Sequence, residues 1–382
     1  MGQYKSTYFV NKKLAIFCGL CYSWVMPVKT SISQPKTFKK TVKNSKNEFL
    51  DEINEVLTIP QEKNGLTFVS LFAGGGGLDL GFASAGFTPV FTTDIIESFC
   101  DTIRFNLPHH AVEAWDMNDL KGDYVKKRAG KVDFIIGGPP CQSFSILGNR
   151  GATLDPRGKL IFEYVRFIQE LNPKGFLFEN VPGLLNVNGG KDWEMIQKFF
   201  NDTGYNIFWK KVNSAQYGVP QYRERVVLIG LKKKKEFQWP KERFAMSLNS
   251  NSFLPPPRTS ALAMEYIDKA PNQIIRIHGE RVAGRYSKIL PGERDRIDHT
   301  DRVHPNKPSG TVLVGSGGGG GRPFIHPFEH RHLTVREAAR LQSFPDWWTF
   351  QGNVTSQYRQ VGNAVPVLMA HHIAKSIQEA LQ

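Results

Sequence analysis

Four short segments carry residue types that could do chemistry. The first is Gly137-Gly138-Pro139-Pro140-Cys141-Gln142-Ser143-Phe144-Ser145. A lone cysteine is usually a small buried hydrophobe. Cys141, however, follows the apolar run Val132–Ile136 in a loop where two prolines fix its approach, and that placement points to a nucleophile. The thiolate is the attacking form, so a positive local field that lowers its pKa is expected. The second segment, Glu179-Asn180-Val181-Pro182, ends another strand-like run. In isolation it fits a turn or a helix cap; beside Cys141 its carboxyl group could do acid or hydrogen-bond work on a ring nitrogen. The third, Gln221-Tyr222-Arg223-Glu224-Arg225, leads into the apolar run Val226–Ile229. Strand alternation then points both guanidinium groups to one side. The fourth is the glycine turn of Phe68-Val69-Ser70-Leu71-Phe72-Ala73-Gly74-Gly75-Gly76-Gly77-Leu78, a strand entering a helix. Such a turn lets a nucleotide approach the backbone and offers N–H groups to acceptors. Alone it fits a structural turn or a dinucleotide site equally well. Asp94 ends the next strand 20 residues after Gly74, where an acid can bond ribose hydroxyls, and with it a nucleoside cofactor is expected.

These segments need a common edge. Leu66–Leu71, Val90–Thr93, Val132–Ile136 and Gly175–Phe178 read as strands, with amphipathic stretches between them. The alternation predicts an α/β fold, a mostly parallel sheet flanked by helices, with ligands at the carboxyl ends of its strands. After Gly230 the pattern breaks into Lys232–Lys235, Pro255–Pro257 and the Gly317–Gly321 run, which predicts a smaller irregular domain. Within it Thr311–Val314 reads as a strand. Helical spacing returns at Thr334–Leu341 and Val365–Leu381, with Thr334 and Glu337 as a capping box. The expected organisation is a basic, flexible extension over 1–64, a catalytic and cofactor-binding domain over 65–230, the irregular domain over 231–330, and C-terminal helices over 331–382 that return to the catalytic domain. Order is expected to begin near Leu66.

The chain has 382 residues, 40% of them hydrophobic, enough for a full core and too many for a wholly disordered protein. Its 49 Lys and Arg outnumber 35 Asp and Glu. The excess is uneven: residues 1–47 carry nine Lys and no acid, and residues 231–330 carry 17 basic against 10 acidic side chains. Basic attachments on a balanced body suit a phosphate backbone, although a charge run alone fits a solvated surface equally well. Four cysteines in a chain of this length do not make a disulfide framework. Cys18 and Cys21 have no second pair or histidine cluster with metal spacing, so no metal is expected. Leu14–Met26 is apolar but too short to span a bilayer. A non-native or mis-assigned start, with Met26 as the natural one, and a cytoplasmic protein are the expectations.

Together the Phe-Ala-Gly turn, Pro-Cys-Gln, Glu-Asn-Val, Gln-x-Arg-x-Arg and Gln-x-x-Gly-Asn-Ala-Val-Pro resemble the cytosine-5 DNA methyltransferases of bacterial restriction-modification systems. The similarity covers Phe68 to Gly230 and about Leu333 to Gln382, in unpermuted order. The resemblance implies a Rossmann-like methyltransferase domain with a target-recognition domain at 231–330, S-adenosylmethionine as methyl donor, and double-stranded DNA as substrate. It implies catalytic roles for Cys141, Glu179, Arg223 and Arg225. Phe72, Gly74, Gly76, Gly77, Asp94, Ile95, Asp116, Pro140 and Asn363 match cofactor positions; Ile95 departs from members with an aromatic residue beside the adenine. Gln142, Ser145 and Arg157 match DNA contacts in a mobile loop that supports a flipped base. A monomer is expected, with a cognate restriction endonuclease as a possible functional partner and no stable complex with it. Three other readings compete. The tRNA-directed members share these motifs, and a DNA-binding scaffold without catalysis would not need Cys141, Glu179, Arg223 and Arg225 together. A nicotinamide-dependent oxidoreductase fits the glycine turn but leaves Pro-Cys-Gln unexplained.

Overall fold

The computed structural model describes residues 47–140, 159–234, 236–247, 252–267, 270–314 and 324–382. Its centre is a seven-stranded sheet of order β3-β2-β1-β4-β5-β7-β6. The strands are β1 (Thr67–Leu71), β2 (Thr88–Asp94), β3 (Ala111–Ala114), β4 (Phe134–Gly137), β5 (Gly175–Asn180), β6 (Asn206–Asn213) and β7 (Glu224–Leu231). The first five run parallel, and β7 inserts antiparallel between β5 and β6. Strands β4 and β5 are buried along their whole length, as a sheet covered on both faces requires. That is why FIIG and GFLFEN lack polar alternation.

One face is covered by α2 (Gly77–Ser84) and α10 (Val367–Leu381), which pack Leu78 and Phe82 with Met369 and Ile373. The other carries α4 (Gly122–Ala129), α5 (Lys159–Leu171) and α6 (Lys191–Asn201), with Ile161, Tyr164, Ile168 and Ile196 in the core. A third apolar cluster joins α3 (Glu97–Asn106), α8 (Val335–Leu341) and α9 (Val354–Asn363) to Val303, Val312 and Phe324 of the irregular segment. Residues 46–382 form one compact unit. In the irregular segment the regular elements among the described residues are a 3-10 turn at Ser260–Met264 and α7 (Glu280–Tyr286). The capping box of α8 is present, with Thr334 accepting from the Glu337 N–H and Glu337 from that of Thr334. No helix among the described residues is long and apolar enough to cross a membrane.

Two expectations need correction. Order begins before Leu66: α1 (Glu48–Val56) is capped by Asn47, whose side chain accepts from Leu50 N, and buries Phe49, Leu50 and Ile53. The apolar spacing of Phe49, Ile53 and Leu57 drives it into the third cluster, and the lysine-rich leader masked that signal. Residues 1–46, with Cys18, Cys21 and Met26, lie outside the described residues. Thr311–Val314 is not a strand. Val312 N donates to Gln221 Oε1 at 2.8 Å and Val312 O accepts from Arg223 at 2.8 Å, so side chains take the bonds a ladder would have used. Strands β3 and β6 and helix α9 were not anticipated: β3 has four residues, and β6 is a half-exposed edge strand with lysines.

Beneath the glycine turn, Asp79 of α2 is fully buried and accepts from Ser70 Oγ and Thr92 Oγ1, both at 3.0 Å. Burial pushes its pKa up to about 6 from 3.8, against those bonds, with nearby Asp94 adding to the rise. A carboxyl whose folded pKa exceeds its unfolded value gives stability that is complete below the unfolded pKa and lost as pH rises through the folded one. The shift corresponds to about 3 kcal/mol. We predict that wild-type stability relative to Asp79→Asn falls by about that much between about pH 4 and about pH 7 in urea titrations; a difference independent of pH contradicts this.

Candidate functional site

Because β1 to β5 are parallel, their carboxyl ends share one edge, and antiparallel β7 brings its amino end there. Each end presents a segment singled out in the sequence. After β1, Phe72 and Gly74 both have φ of 57° and Gly76 has φ of 80°, the left-handed region that glycine enters without strain. Gly76 is the N-cap of α2. A Cβ on Gly76 would lie 2.7 Å from Trp348 Cζ2, and Gly76 does not line the cavity described below. Its place is in the turn and its packing. Asp94 closes β2: Oδ2 accepts from Gly74 N at 2.9 Å and Oδ1 from Ile96 N at 3.0 Å, so the acid holds the glycine turn in position. Burial raises its pKa, while backbone N–H groups of Ile96, Gly74 and Ile95 oppose the rise.

At the end of β5, Glu179 is buried and pairs with Arg225 Nε through Oε1 at 2.7 Å. The register explains the meeting: Glu179 lies opposite Val227 and Asn180 opposite Val226, which leaves Arg225 just beyond the β5 terminus. Burial raises the Glu179 pKa, and the positive charges of Arg225 and Arg223 work against that. A Cβ on Gly138 would lie 2.7 Å from Glu179 Oε2, so a side chain there would have to displace this carboxyl. Asn180 Nδ2 donates to Pro139 O at 3.0 Å and anchors the same loop. Arg223 is buried and donates to Val312 O at 2.8 Å and to Gly362 O at 2.7 Å. It joins the irregular segment to the residue preceding Asn363. Gln221, with no exposure, completes the joint by donating to Leu341 O at 3.0 Å and Gln342 Oε1 at 2.9 Å.

These ends enclose a cavity of about 540 Å³, within the range of small-molecule sites. Of the residues expected from sequence, Phe72, Gly74, Gly77, Asp94, Ile95, Asp116, Pro140, Glu179, Arg223, Arg225 and Asn363 line it. Cys141, Gln142, Ser145 and Arg157 lie outside the described residues; Pro140, immediately before Cys141, lines the cavity. Sequence reading missed Trp115 and Asn118 beside Asp116, and Asn180 beside Glu179. All three are direct neighbours, or two residues away, of positions already marked at strand ends, and that adjacency was the available signal. The lining suits a nucleoside. A Cβ at Gly74 would meet nothing within 4 Å, so the turn leaves open space over its backbone, while Asp94, Asp116 and Asn118 offer polar groups and Ile95, Phe99 and Trp115 apolar walls. No group of side chains able to hold a metal ion occurs among the described residues.

The chain is similar in sequence and in fold to known proteins. The family model for C-5 cytosine-specific DNA methylase matches residues 66–379. Type II methyltransferase M1.HphI of Haemophilus parahaemolyticus is 36% identical over 332 residues, which cover 82% of this chain and 86% of that protein. Type II methyltransferase M.Sau96I of Staphylococcus aureus is 33% identical over 341 residues, covering 86% and 79%. Among solved structures, a candidate DNA modification methyltransferase encoded within an E. coli prophage superposes with a TM-score of 0.69 at 28% identity, covering 83% of this chain and 99% of that one. The S. pombe Dnmt2 methyltransferase, at 21% identity and a TM-score of 0.58 over 83% and 99%, shares the fold.

Proposed function

From the premise that the chain belongs to the C-5 cytosine-specific DNA methylase family, and is a DNA cytosine-5-methyltransferase, we propose the detailed reaction. It transfers a methyl group from S-adenosylmethionine to carbon 5 of a specific cytosine in double-stranded DNA, by covalent catalysis through Cys141. The observation that carries this reading is the buried Glu179–Arg225 pair, 2.7 Å apart, on the cavity that also holds the glycine turn and Pro140.

Cytosine carbon 5 is a weak nucleophile. Addition of the Cys141 thiolate to carbon 6, with Glu179 holding a proton or hydrogen bond at ring nitrogen 3, makes it an enamine carbon. Arg225 holds the ring carbonyl oxygen and stabilises charge that develops there. Arg223, engaged with Val312 and Gly362, keeps the Asn363 loop and the recognition segment in place. S-adenosylmethionine supplies the electrophilic methyl group when bound. Loss of the carbon 5 proton and elimination of Cys141 then restore the ring and the thiolate. Phe72, Gly74, Asp94, Ile95, Asp116 and Asn363 would hold the donor. Asp94 is arranged for ribose hydroxyls, each carboxylate oxygen retaining acceptor capacity beyond its backbone bond.

A stacked base is out of reach of Cys141, so the target is flipped out at a cost of about a few kcal/mol. Residues 231–330 form the recognition region, and Gln142, Ser145 and Arg157 contact DNA around the opened pair. Supported by relatives named as Type II methyltransferases, the chain acts as the modification component of a restriction-modification system, as a monomer in the cytoplasm. The test is to offer duplex plasmid DNA and tRNA as acceptors of labelled methyl groups and to map the DNA product by bisulfite sequencing. Carbon 5 methylation at one recurrent sequence in duplex DNA is expected; label confined to tRNA overturns the substrate, and label with no protected cytosine overturns the position.

A further inference from the structure

The cavity contains an aromatic side chain, Trp115, that none of the matched motifs includes. Three aromatic residues line it: Phe72, Phe99 and Trp115. Phe99, on α3, is buried at 2% exposure. Phe72 belongs to the turn after β1, whereas Trp115 directly follows β3, two strands away in the sheet. Asp116 and Asn118, the polar groups beside Trp115, are therefore on the β3 side. Asp94, at the end of β2, lies between Phe72 and Trp115 in the strand order.

Trp115 is fixed from several directions. Its backbone N–H donates to Asp94 O at 3.1 Å, and its indole Nε1 donates to Glu113 Oε2 at 3.0 Å. The same carboxylate accepts from Tyr124 OH at 2.8 Å and from Arg128 Nε at 2.8 Å. The Tyr124 ring stands edge-on to the indole, 5.4 Å between centroids. Burial would raise the Glu113 pKa, but the bonds from Trp115, Tyr124 and Arg128 outweigh it and hold the group below its ordinary value. Glu113 thus remains an acceptor through the neutral range. The side chain at the next position along the edge, Ile95, is 65% exposed and has no π-face.

We propose that Trp115 is the wall on which the purine of the nucleoside donor stacks, supplying the aromatic face that position 95 lacks, with Glu113 as the positioning residue that fixes the indole. An indole is the largest aromatic face a side chain can offer, and offset stacking suits a purine. Asp94, Trp115 and Asp116 line the same cavity. Asp116 Oδ1 already accepts from Asn118 N and Nδ2, at 2.9 and 2.7 Å, so the carboxylate is oriented before any ligand arrives.

The proposal rests on the reading of the donor as S-adenosylmethionine, and the experiment separates the two. S-adenosylhomocysteine is titrated calorimetrically into the full chain as wild type, Trp115→Ala, Trp115→Phe and Glu113→Gln. Stacking of a base on an aromatic side chain is worth about 1–3 kcal/mol, so Trp115→Ala is expected to weaken binding by about 5- to 150-fold. Trp115→Phe should recover most of the loss, and Glu113→Gln should lie between them. Unliganded thermal midpoints should be unchanged for Trp115→Phe and fall only slightly for Glu113→Gln, which loses the ion pair with Arg128. In steady state Glu113→Gln should raise KM for the donor and leave kcat unaltered, a split that general loosening would not give. Quenching of indole fluorescence by the ligand should be lost in Trp115→Phe. Wild type that takes up no S-adenosylhomocysteine removes the donor reading and this wall with it. Wild type that binds, with Trp115→Ala binding equally well, overturns the wall alone; a fall in kcat with KM unchanged in Glu113→Gln overturns its positioning role.

Discussion

Arg225→Ala is expected to lower kcat for methyl transfer by about 100- to 1,000-fold, the usual effect of removing one preorganised donor from a site of developing charge. Two losses combine. The guanidinium no longer meets the ring oxygen, and Glu179 loses the partner that holds its Oε1 at 2.7 Å. Glu179 is buried, and its raised pKa has burial as its largest cause and Arg225 as its first opponent. Without Arg225 that pKa rises further. The folded state then binds a proton that the unfolded state has released, so stability of the variant is complete at acid pH and lost as pH rises through the folded pKa. Leaving a buried charge unpaired costs about 3–5 kcal/mol. The variant should therefore be nearest to wild type in stability below the ordinary carboxyl range and weakest at alkaline pH. Denaturant titrations across pH, with single-turnover methylation at matched folded fraction, separate the catalytic loss from the stability loss. A variant with wild-type single-turnover rate would remove Arg225 from the chemistry.

A larger effect is expected from Cys141→Ala, a fall of at least about 10,000-fold, because no other group of the proposed site can form the bond to carbon 6. Affinity for duplex DNA and for S-adenosylhomocysteine should persist, since neither the glycine turn nor Asp94 depends on the thiol. Robust methylation by this variant, measured with labelled donor, would overturn covalent catalysis. Equal loss of DNA affinity would move Cys141 from the reaction to the interface.

Why some of this could be read in the chain and some could not is a matter of range. In a parallel sheet every carboxyl end falls on one edge, so Phe72, Asp94, Pro140 and Glu179 could each be placed by finding a strand and looking just past it. Arg225 reaches the same edge because β7 runs the other way, a fact that the Arg-x-Arg spacing does not contain. The role of Arg223 in joining Val312 to Gly362 depends on partners 89 and 139 residues distant; local periodicity cannot show such contacts. Val312 shows the reverse error. Its β-branched run has strand propensity, yet the buried Gln221 and Arg223 took its backbone groups, and tertiary hydrogen bonding overrode propensity. Helix α1 was hidden by composition, because the lysines before it suggested continuing disorder. Trp115 belongs to no motif, and from sequence an aromatic residue after a short strand is indistinguishable from one that only packs against the core, as Trp115 also does.

Covalent attack by Cys141 is tested most directly with duplex DNA in which every cytosine is replaced by 5-fluorocytosine, incubated with the protein and S-adenosylmethionine and resolved under denaturing conditions. Fluorine at carbon 5 leaves no proton to remove, so the enzyme cannot be eliminated after methyl transfer. Wild type should be trapped as a protein–DNA adduct whose peptide map places the link at Cys141, and Cys141→Ala should give none. Wild type that methylates ordinary DNA but forms no adduct, or an adduct that survives in Cys141→Ala, would contradict the mechanism.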